Sequence, residues 1–274
     1  MKKKISILVM IIVFTTTVFT PVFAGKKVNY NKYSNRSVGC GLNLRTDHKL
    51  PAVSKPAGVS LKKYHTYYYG SKAYRKKKKV IYLTFDCGYE NGNTKKILKI
   101  LKKKKIKAIF FVTEPYIKEN TKLVKQMKKQ GHLVGNHTCT HPRLPDISVG
   151  RMKKELKQCR KTMKKLTGYN LDSYMRPPEG EYSVRVMKVA KDMGYNTMLW
   201  SLALYDYDVN NQPAVSYVVD KFKKHHFCGM MPLLHVISSA DTKALPKIIS
   251  YLKKQGYRFG TVDEFAKNRF EKKE

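Results

Sequence analysis

From Val80 towards the C-terminus, short apolar runs alternate with longer segments whose apolar residues recur at helical spacing. VIYLTF (Val80 to Phe85) predicts a buried strand, and Asn93 and Thr94 then open a helix carrying Ile97, Leu98 and Leu101. AIFFV (Ala108 to Val112) predicts the next strand, followed by a helix with Leu123, Val124 and Met127 that ends near Gly131. Leu133 and Val134 make a further short strand. The spacing of Met152, Leu156, Cys159, Met163 and Leu166 predicts a long helix near 150–167, closed by Gly168. SYMRPP (Ser173 to Pro178) reads as a strand end, and a helix around Val184 to Met193 stops at Gly194. TMLWSLAL, MMPLLHV and YRFGTV supply three more strands, joined by helices near 213–226 and 241–255. Roughly seven β–α alternations of this kind define an α/β chain with a parallel sheet, either barrel-like or doubly wound.

Ahead of Val80 the texture differs. Residues 25–75 are rich in Tyr, Lys, Ser and Asn, with Pro51 and Pro56 as breakers, and read as an N-terminal extension or linker wrapping the domain through Tyr67, Tyr68 and Tyr69. Residues 1–24 have the layout of a signal peptide: a basic start (Lys2 to Lys4), an apolar stretch (Ile5 to Phe19) and Val22-Phe23-Ala24 before Gly25. A membrane span takes about 20 apolar residues, so export with cleavage is the expectation, and membrane association through an uncleaved N-terminus is the other reading. The remaining 76–274 form the expected catalytic domain.

Charge narrows the partners. Of 274 residues, 56 are Lys or Arg against 19 Asp or Glu, a formal net charge of +37. Nucleic acid, anionic lipid or a polyanionic extracellular matrix would each suit such a chain. The basic residues are spread along it, with no zinc-finger spacing and no RNP-like aromatic strand, so no nucleic-acid partner is expected. An extracytoplasmic, wall- or membrane-associated protein would meet anionic wall polymers instead. The five cysteines, an odd number, leave at least one thiol unpaired, and Cys159 lies on a helical apolar stripe.

Chemistry-bearing residues gather at strand ends. GNHTCTH (Gly135 to His141) offers His137 and His141 four residues apart, a spacing that on a helical turn puts Cβ atoms about 5–6 Å from each other and suits one shared metal ion. Pro142 pushes His141 away from α geometry, so the pair belongs to a loop or single turn. TFDCGYENG delivers Asp86 directly after a buried strand, as a general base, a ligand or a turn aspartate. RPPEGEYS holds Arg176 at a strand's edge, where it could pair with Asp86 and keep it ionised. WSLALYDYD brings Asp206 and Asp208 from another strand end, and PLLHVISSAD ends an apolar run on His235. A histidine there is more often a satisfied core residue, and a general acid is the sharper reading.

The order TFDxG, HxxxH, RPPxG, a late Asp-aromatic pair and LLH resembles the polysaccharide deacetylase domain, also called the NodB-homology domain or carbohydrate esterase family 4, over about Val80 to Phe265. The fuller wording is similar to one branch, the peptidoglycan N-acetylmuramic acid deacetylases (delta-lactam-biosynthetic de-N-acetylases). The resemblance implies a distorted (β/α) barrel of about seven units, fewer than the eight of a regular barrel. It implies Asp86 as the base that activates water and His235 as the acid that protonates the leaving amine. Arg176 would orient and tune Asp86, Asp206 would pair with His235, and the backbone N–H of Glu179 would serve as an oxyanion donor. His137 and His141 would hold a divalent metal ion, usually zinc in the family. Peptidoglycan glycan strands would be the substrate, with a muramic delta-lactam in spore cortex as the product's fate. Removal of N-acetyl groups from N-acetylglucosamine in wall glycan or chitin-like oligomers, or an inactive wall-binding homologue, are the rivals.

Two positions depart from the family's pattern. Its third metal ligand is an aspartate directly after the base, and here that place holds Cys87. A thiolate there could complete a Cys-His-His site, since zinc binds sulfur well at about 2.3 Å, or the thiol stays protonated. Glu179 stands where the family often has an aromatic or basic residue, so only its backbone role carries over.

Overall fold

The computed structural model describes residues 28–270; the expected signal peptide, 1–24, lies outside them. The N-terminal segment contributes a small hairpin, β1 (Leu42–Asn43) with β2 (Ala52–Val53), then β3 (Thr66–Tyr67) and the short helix α1 (Ser71–Arg75). There follow β4 (Val80–Ile81), β5 (Thr84–Cys87), α2 (Asn93–Lys103), β6 (Ile109–Val112), α3 (Glu114–Glu119), α4 (Thr121–Lys129) and β7 (Leu133–Asn136). The remainder is α5 (Val149–Thr167), β8 (Tyr174–Met175), α6 (Val184–Asp192), β9 (Asn196–Met198), α7 (Val215–His225), β10 (Leu233–His235), α8 (Ser239–Lys254) and β11 (Arg258–Phe259). Among the described residues no helix is long and apolar enough to cross a membrane.

Seven strands form one parallel sheet in the order β10-β5-β6-β7-β8-β9-β3. The sheet curls until the chain beyond β9 meets the chain before β10. The Ser201 N–H donates to the Met231 carbonyl and the Leu233 N–H to the Leu202 carbonyl, at 2.8 Å each. Below that junction β3 fills the wedge between the two edges, bonded to β9. The result is a distorted (β/α) barrel. Residues 25–75 thus include a strand of the barrel itself, and Val38 adds an antiparallel bridge to Tyr182. No apolar run marked Thr66–Tyr67 as a strand, because an edge strand of two residues needs none.

Two expected strands rearrange. Val80 to Phe85 is split: β4 pairs with β11, whereas β5 pairs with β10 and β6. YRFGTV therefore lies outside the main sheet. The helices stand close to expectation. The N-cap Ser148 side chain accepts the Arg151 N–H and Gly168 closes α5 at φ 79°. The extra helix α3 starts on Thr113, whose hydroxyl accepts the Tyr116 N–H, with Pro115 in the first turn.

Strand parity sorts the core. Phe85, Cys87, Phe110, Val112 and Val134 face outward and pack with Ile97, Leu98 and Leu101 of α2. Ile109, Phe111, Leu133, Tyr174 and Met198 face inward and fill the barrel. Cys159 lies in the outer layer, Cys228 is half-buried, and none of the five cysteines is in a disulfide.

Gly135 makes room for the centre of the barrel. A Cβ at this position would come within 2.6 Å of the Phe111 ring and 3.0 Å of the Tyr174 carbonyl. The ring supports a buried arginine and the carbonyl is main chain, so neither yields cheaply. Gly135→Ala is therefore expected to cost about 1–3 kcal/mol, read as a lower urea midpoint; an unchanged midpoint would contradict this packing.

Candidate active site

The register of the sheet places the reacting groups. Asp86 on β5 is opposite His235 on β10 and Phe111 on β6, and Phe111 is opposite Gly135 on β7. Residues level with each other on neighbouring parallel strands face the same way, so Asp86 and His235 stand side by side at the C-terminal end of the barrel. They open into a cleft of about 730 Å³ that also takes in His137, His141, Trp200 and Glu179.

Arg176 follows β8 and is wholly buried. Its Nη1 donates to Asp86 Oδ1 at 2.6 Å and its Nη2 to Thr84 Oγ1 at 2.8 Å. The Leu199 and Met198 carbonyls accept from Nη2 and Nε at 3.0 and 3.1 Å, and the guanidinium lies 4.3 Å above the Phe111 ring. Burial opposes charge on Asp86, but the Arg176 guanidinium, followed by His137 and His235, outweighs it and holds the carboxyl below its usual range. Asp86 is an ionised base with one oxygen gripped and the other turned to the cleft.

His235 is held from behind. Asp206, fully buried, accepts the His235 backbone N–H at 2.9 Å and pairs with Nδ1 at 2.7 Å. Burial would lower the imidazole pKa; the hydrogen bond and charge of Asp206, with Asp86 adding to them, raise it instead. Nδ1 is thereby the anchored nitrogen and Nε2 the one free to serve the cleft. Asp208 stays at the surface, where it accepts the Asn210 N–H at 2.9 Å.

The histidine loop leaves β7 in left-handed turns at Thr138 (φ 70°) and His141 (φ 54°). Asn136 Oδ1 accepts the Thr138 N–H, and Thr138 Oγ1 accepts the His141 N–H. Glu155, buried on α5, accepts the Cys139 and Thr140 N–H groups at 2.8 Å each. The two rings meet edge to face with centroids 4.8 Å apart. His137 Nδ1 lies 2.9 Å from the Arg176 carbonyl, so it donates there and leaves Nε2 as the electron-pair donor, 3.5 Å from Asp86 Oδ2. Burial drives its pKa down to about 4, so the ring is neutral.

Two imidazoles with one tautomer already set suit half of a cation site. Among the described residues no group of three or more His, Cys, Asp and Glu is placed to hold a metal ion. Cys87 cannot supply the third donor. Its side chain packs on the face of β5 away from Asp86, in the apolar layer under the helices. Burial there pushes its thiol pKa up, with no surface left exposed. The Cys-His-His arrangement is corrected accordingly. Glu179 sits at φ 57°, its side chain exposed and 3.7 Å from Arg143. The turn closes by Gly180 to Pro177 and Glu181 to Pro178, which leaves the Glu179 N–H out of its backbone bonds.

Sequence reasoning missed Glu155 and Asp241, both buried acids. Each had a signal. Glu155 adjoins the apolar stripe of α5, and Ser238 and Asp241 stand at capping-box spacing.

A buried carboxylate base, an imidazole acid beside it and an N–H outside the backbone bonds of its turn are the parts of an acyl hydrolase. The chain belongs to the polysaccharide deacetylase family, hydrolases that act on amide bonds of glycans, in which inactive members also occur. The family's model, Polysaccharide deacetylase, matches residues 73–198. The chain is 37% identical over 243 residues to the peptidoglycan-N-acetylmuramic acid deacetylase PdaA of Bacillus subtilis, covering 89% of this chain and 91% of that one. The PdaA structure, a family 4 carbohydrate esterase, superposes with a TM-score of 0.79 over 88% of this chain and 100% of its own. A peptidoglycan-N-acetylglucosamine deacetylase of Bacillus cereus is 36% identical over 192 residues, 69% of this chain and 89% of that one.

Two outcomes follow from the site. An acid works only while protonated, and Asp206 raises the His235 pKa, so the alkaline limb of kcat/KM is expected above the ordinary imidazole value of 6.5. Asp206→Asn should move that limb to lower pH; a limb that stays put would remove His235 as the acid. Cys87→Ala should leave hydrolysis unchanged and cost about 1 kcal/mol of stability. Loss of activity at full folding would restore the thiol to the site.

Proposed function

We propose that the protein removes N-acetyl groups from N-acetylmuramic acid in peptidoglycan, outside the cytoplasmic membrane. The observation that carries this reading is the pair of complete dyads, Arg176–Asp86 and Asp206–His235, level with each other on adjacent strands. An inactive wall-binding homologue would have no need to keep both.

Asp86 takes a proton from water, and the oxygen so activated bonds to the acetamide carbon. The carbonyl oxygen becomes an oxyanion, which the Glu179 N–H can meet; one such donor is worth about 2.7–4 kcal/mol. His235 passes the proton on Nε2 to the nitrogen, the C–N bond breaks, and acetate and a free amine leave. His137 and His141 would hold a divalent cation, whose contribution when bound is polarisation of the carbonyl and a water of lowered pKa.

Muramic acid is preferred over glucosamine because PdaA matches nearly the whole chain, including the N-terminal segment that forms β3. The freed amine of muramic acid can close on its own lactyl carboxylate, giving a delta-lactam where the stem peptide has gone, as in spore cortex. The charge of +37 favours residence on anionic wall polymers through long-range attraction that salt weakens. Export by the N-terminal segment fits that substrate.

Incubation with purified peptidoglycan, with and without stem peptides, followed by mass spectrometry of glycan fragments, tests the reading. Deacetylated muramic acid is expected. Deacetylation of glucosamine alone would give the second reading, and no deacetylation would leave the binding protein. Asp86→Asn and His235→Ala should each abolish acetate release with the fold intact, and a chelator should depress it. Acetate release at the wild-type rate by either variant would refute the assigned roles.

A further inference from the structure

Behind the acid lies a second carboxyl with no part in the chemistry above. Asp241 occupies the first turn of α8, and both of its side-chain oxygens are buried without an N–H or O–H donor in hydrogen-bonding geometry. Helix capping does not explain it. The helix is capped by Ser238, whose hydroxyl oxygen accepts the Asp241 N–H at 3.0 Å. The group against which the Asp241 carboxyl lies is the Asp206 carboxyl, with the His235 N–H and the Ser238 hydroxyl as its other polar neighbours.

The chain fastens this contact deliberately. Gln212 accepts from the Ser238 hydroxyl at 2.8 Å and from the Ala240 N–H at 3.3 Å. Its amide donates to the Asp206 carbonyl at 2.9 Å and to the Asp208 carbonyl at 2.6 Å. One side chain thus ties the loop bearing Asp206 to the first turn of α8 bearing Asp241. Two buried carboxyls in contact cannot both be ionised; sharing a proton satisfies both.

We propose that Asp241 is a positioning residue for the acid: as a neutral carboxylic acid it donates its O–H to Asp206, fixing the carboxylate that grips His235 and moderating that grip. Burial and the neighbouring Asp206 hold the Asp241 carboxyl well above the ordinary carboxylate range, whereas Asp206 is held below it. Asp206 already accepts from the His235 backbone N–H and pairs with Nδ1, whereas Asp241 has no such partner, so the proton of the pair sits on Asp241. A donor on Asp206 weakens its attraction for the imidazolium, which keeps His235 willing to release its proton. The other groups that face the imidazole are Asp86 from β5, Arg176 from β8 and the Tyr207 ring at 6.0 Å. None of them touches the carboxylate from behind as Asp241 does.

This inference rests on His235 as the acid, and its test separates the two. The His235 imidazole is titrated by NMR in isotope-labelled full-length protein, and kcat and KM are measured across pH, for the wild type, Asp241→Asn and Asp241→Leu. The asparagine amide still donates to Asp206, so the imidazole titration and activity should stay close to wild type. The leucine removes the donor while filling the space, so the imidazole should titrate higher by on the order of one pH unit, with kcat reduced and KM unchanged. A downward shift in Asp241→Asn would mean that a negative charge had been lost, and would overturn the proposal even if the leucine variant fails to fold. An unmoved imidazole in a folded Asp241→Leu would overturn it too. A titration that moves as expected while the alkaline limb of the rate does not would uphold the link from Asp241 to His235 and remove the acid role instead.

Discussion

A guanidinium with no exposed surface sits at the centre of this barrel, and the rest of the site is built around satisfying it. Removing a charged group from water costs several kcal/mol even after relaxation, so Arg176 is tolerable only with its donors placed. It places them on Asp86 and Thr84 of β5 and on the Met198 and Leu199 carbonyls at and just beyond β9, over the face of Phe111 from β6. Gly135 of β7 leaves the room for that ring. One side chain thus ties β9, the neighbour of its own strand, to β5 and β6 across the barrel. The same contacts keep the base charged.

The acid is handled by the opposite device. Asp86 is stabilised as an anion by a cation, whereas His235 is stabilised as a cation by an anion, and the two stand on adjacent strands without exchanging partners. Environments that push two titratable groups apart in this way allow one cleft to take a proton and give one at the same pH. The histidine loop adds a third part. Its backbone is pinned by Glu155 and Asn136, so the two imidazoles are presented by hydrogen bonds formed before any ligand arrives.

Much of this was legible in the chain. Apolar runs located the strands and placed Asp86, His137, Arg176 and His235 at their C-terminal ends, where a parallel barrel gathers its chemistry. Three things were less so. Thr66–Tyr67 joins the sheet by filling a gap left by curvature, and curvature leaves no mark on a two-residue stretch. Val80 to Phe85 carries an unbroken apolar pattern, yet its halves answer to different partners. Cys87 is the instructive case: its position in the motif suggested a ligand, but a small apolar thiol at the end of β5 packs into the layer under the helices with no exposed surface. The buried acids are marked only weakly: Glu155 as a charge next to apolar helix positions, a pattern that most often means a solvated flank, and Asp241 by its capping-box spacing from Ser238.

The forked geometry of Arg176, beyond its charge, holds the base in place. Arg176→Lys keeps the charge but cannot reach Asp86, Thr84 and both carbonyls together. Acetate release from peptidoglycan by this variant, measured with its urea midpoint, is the direct test. A fall in kcat/KM on the order of a hundredfold or more, from a misplaced base, is expected together with a lowered midpoint. A lysine variant that deacetylates at the wild-type rate would contradict it.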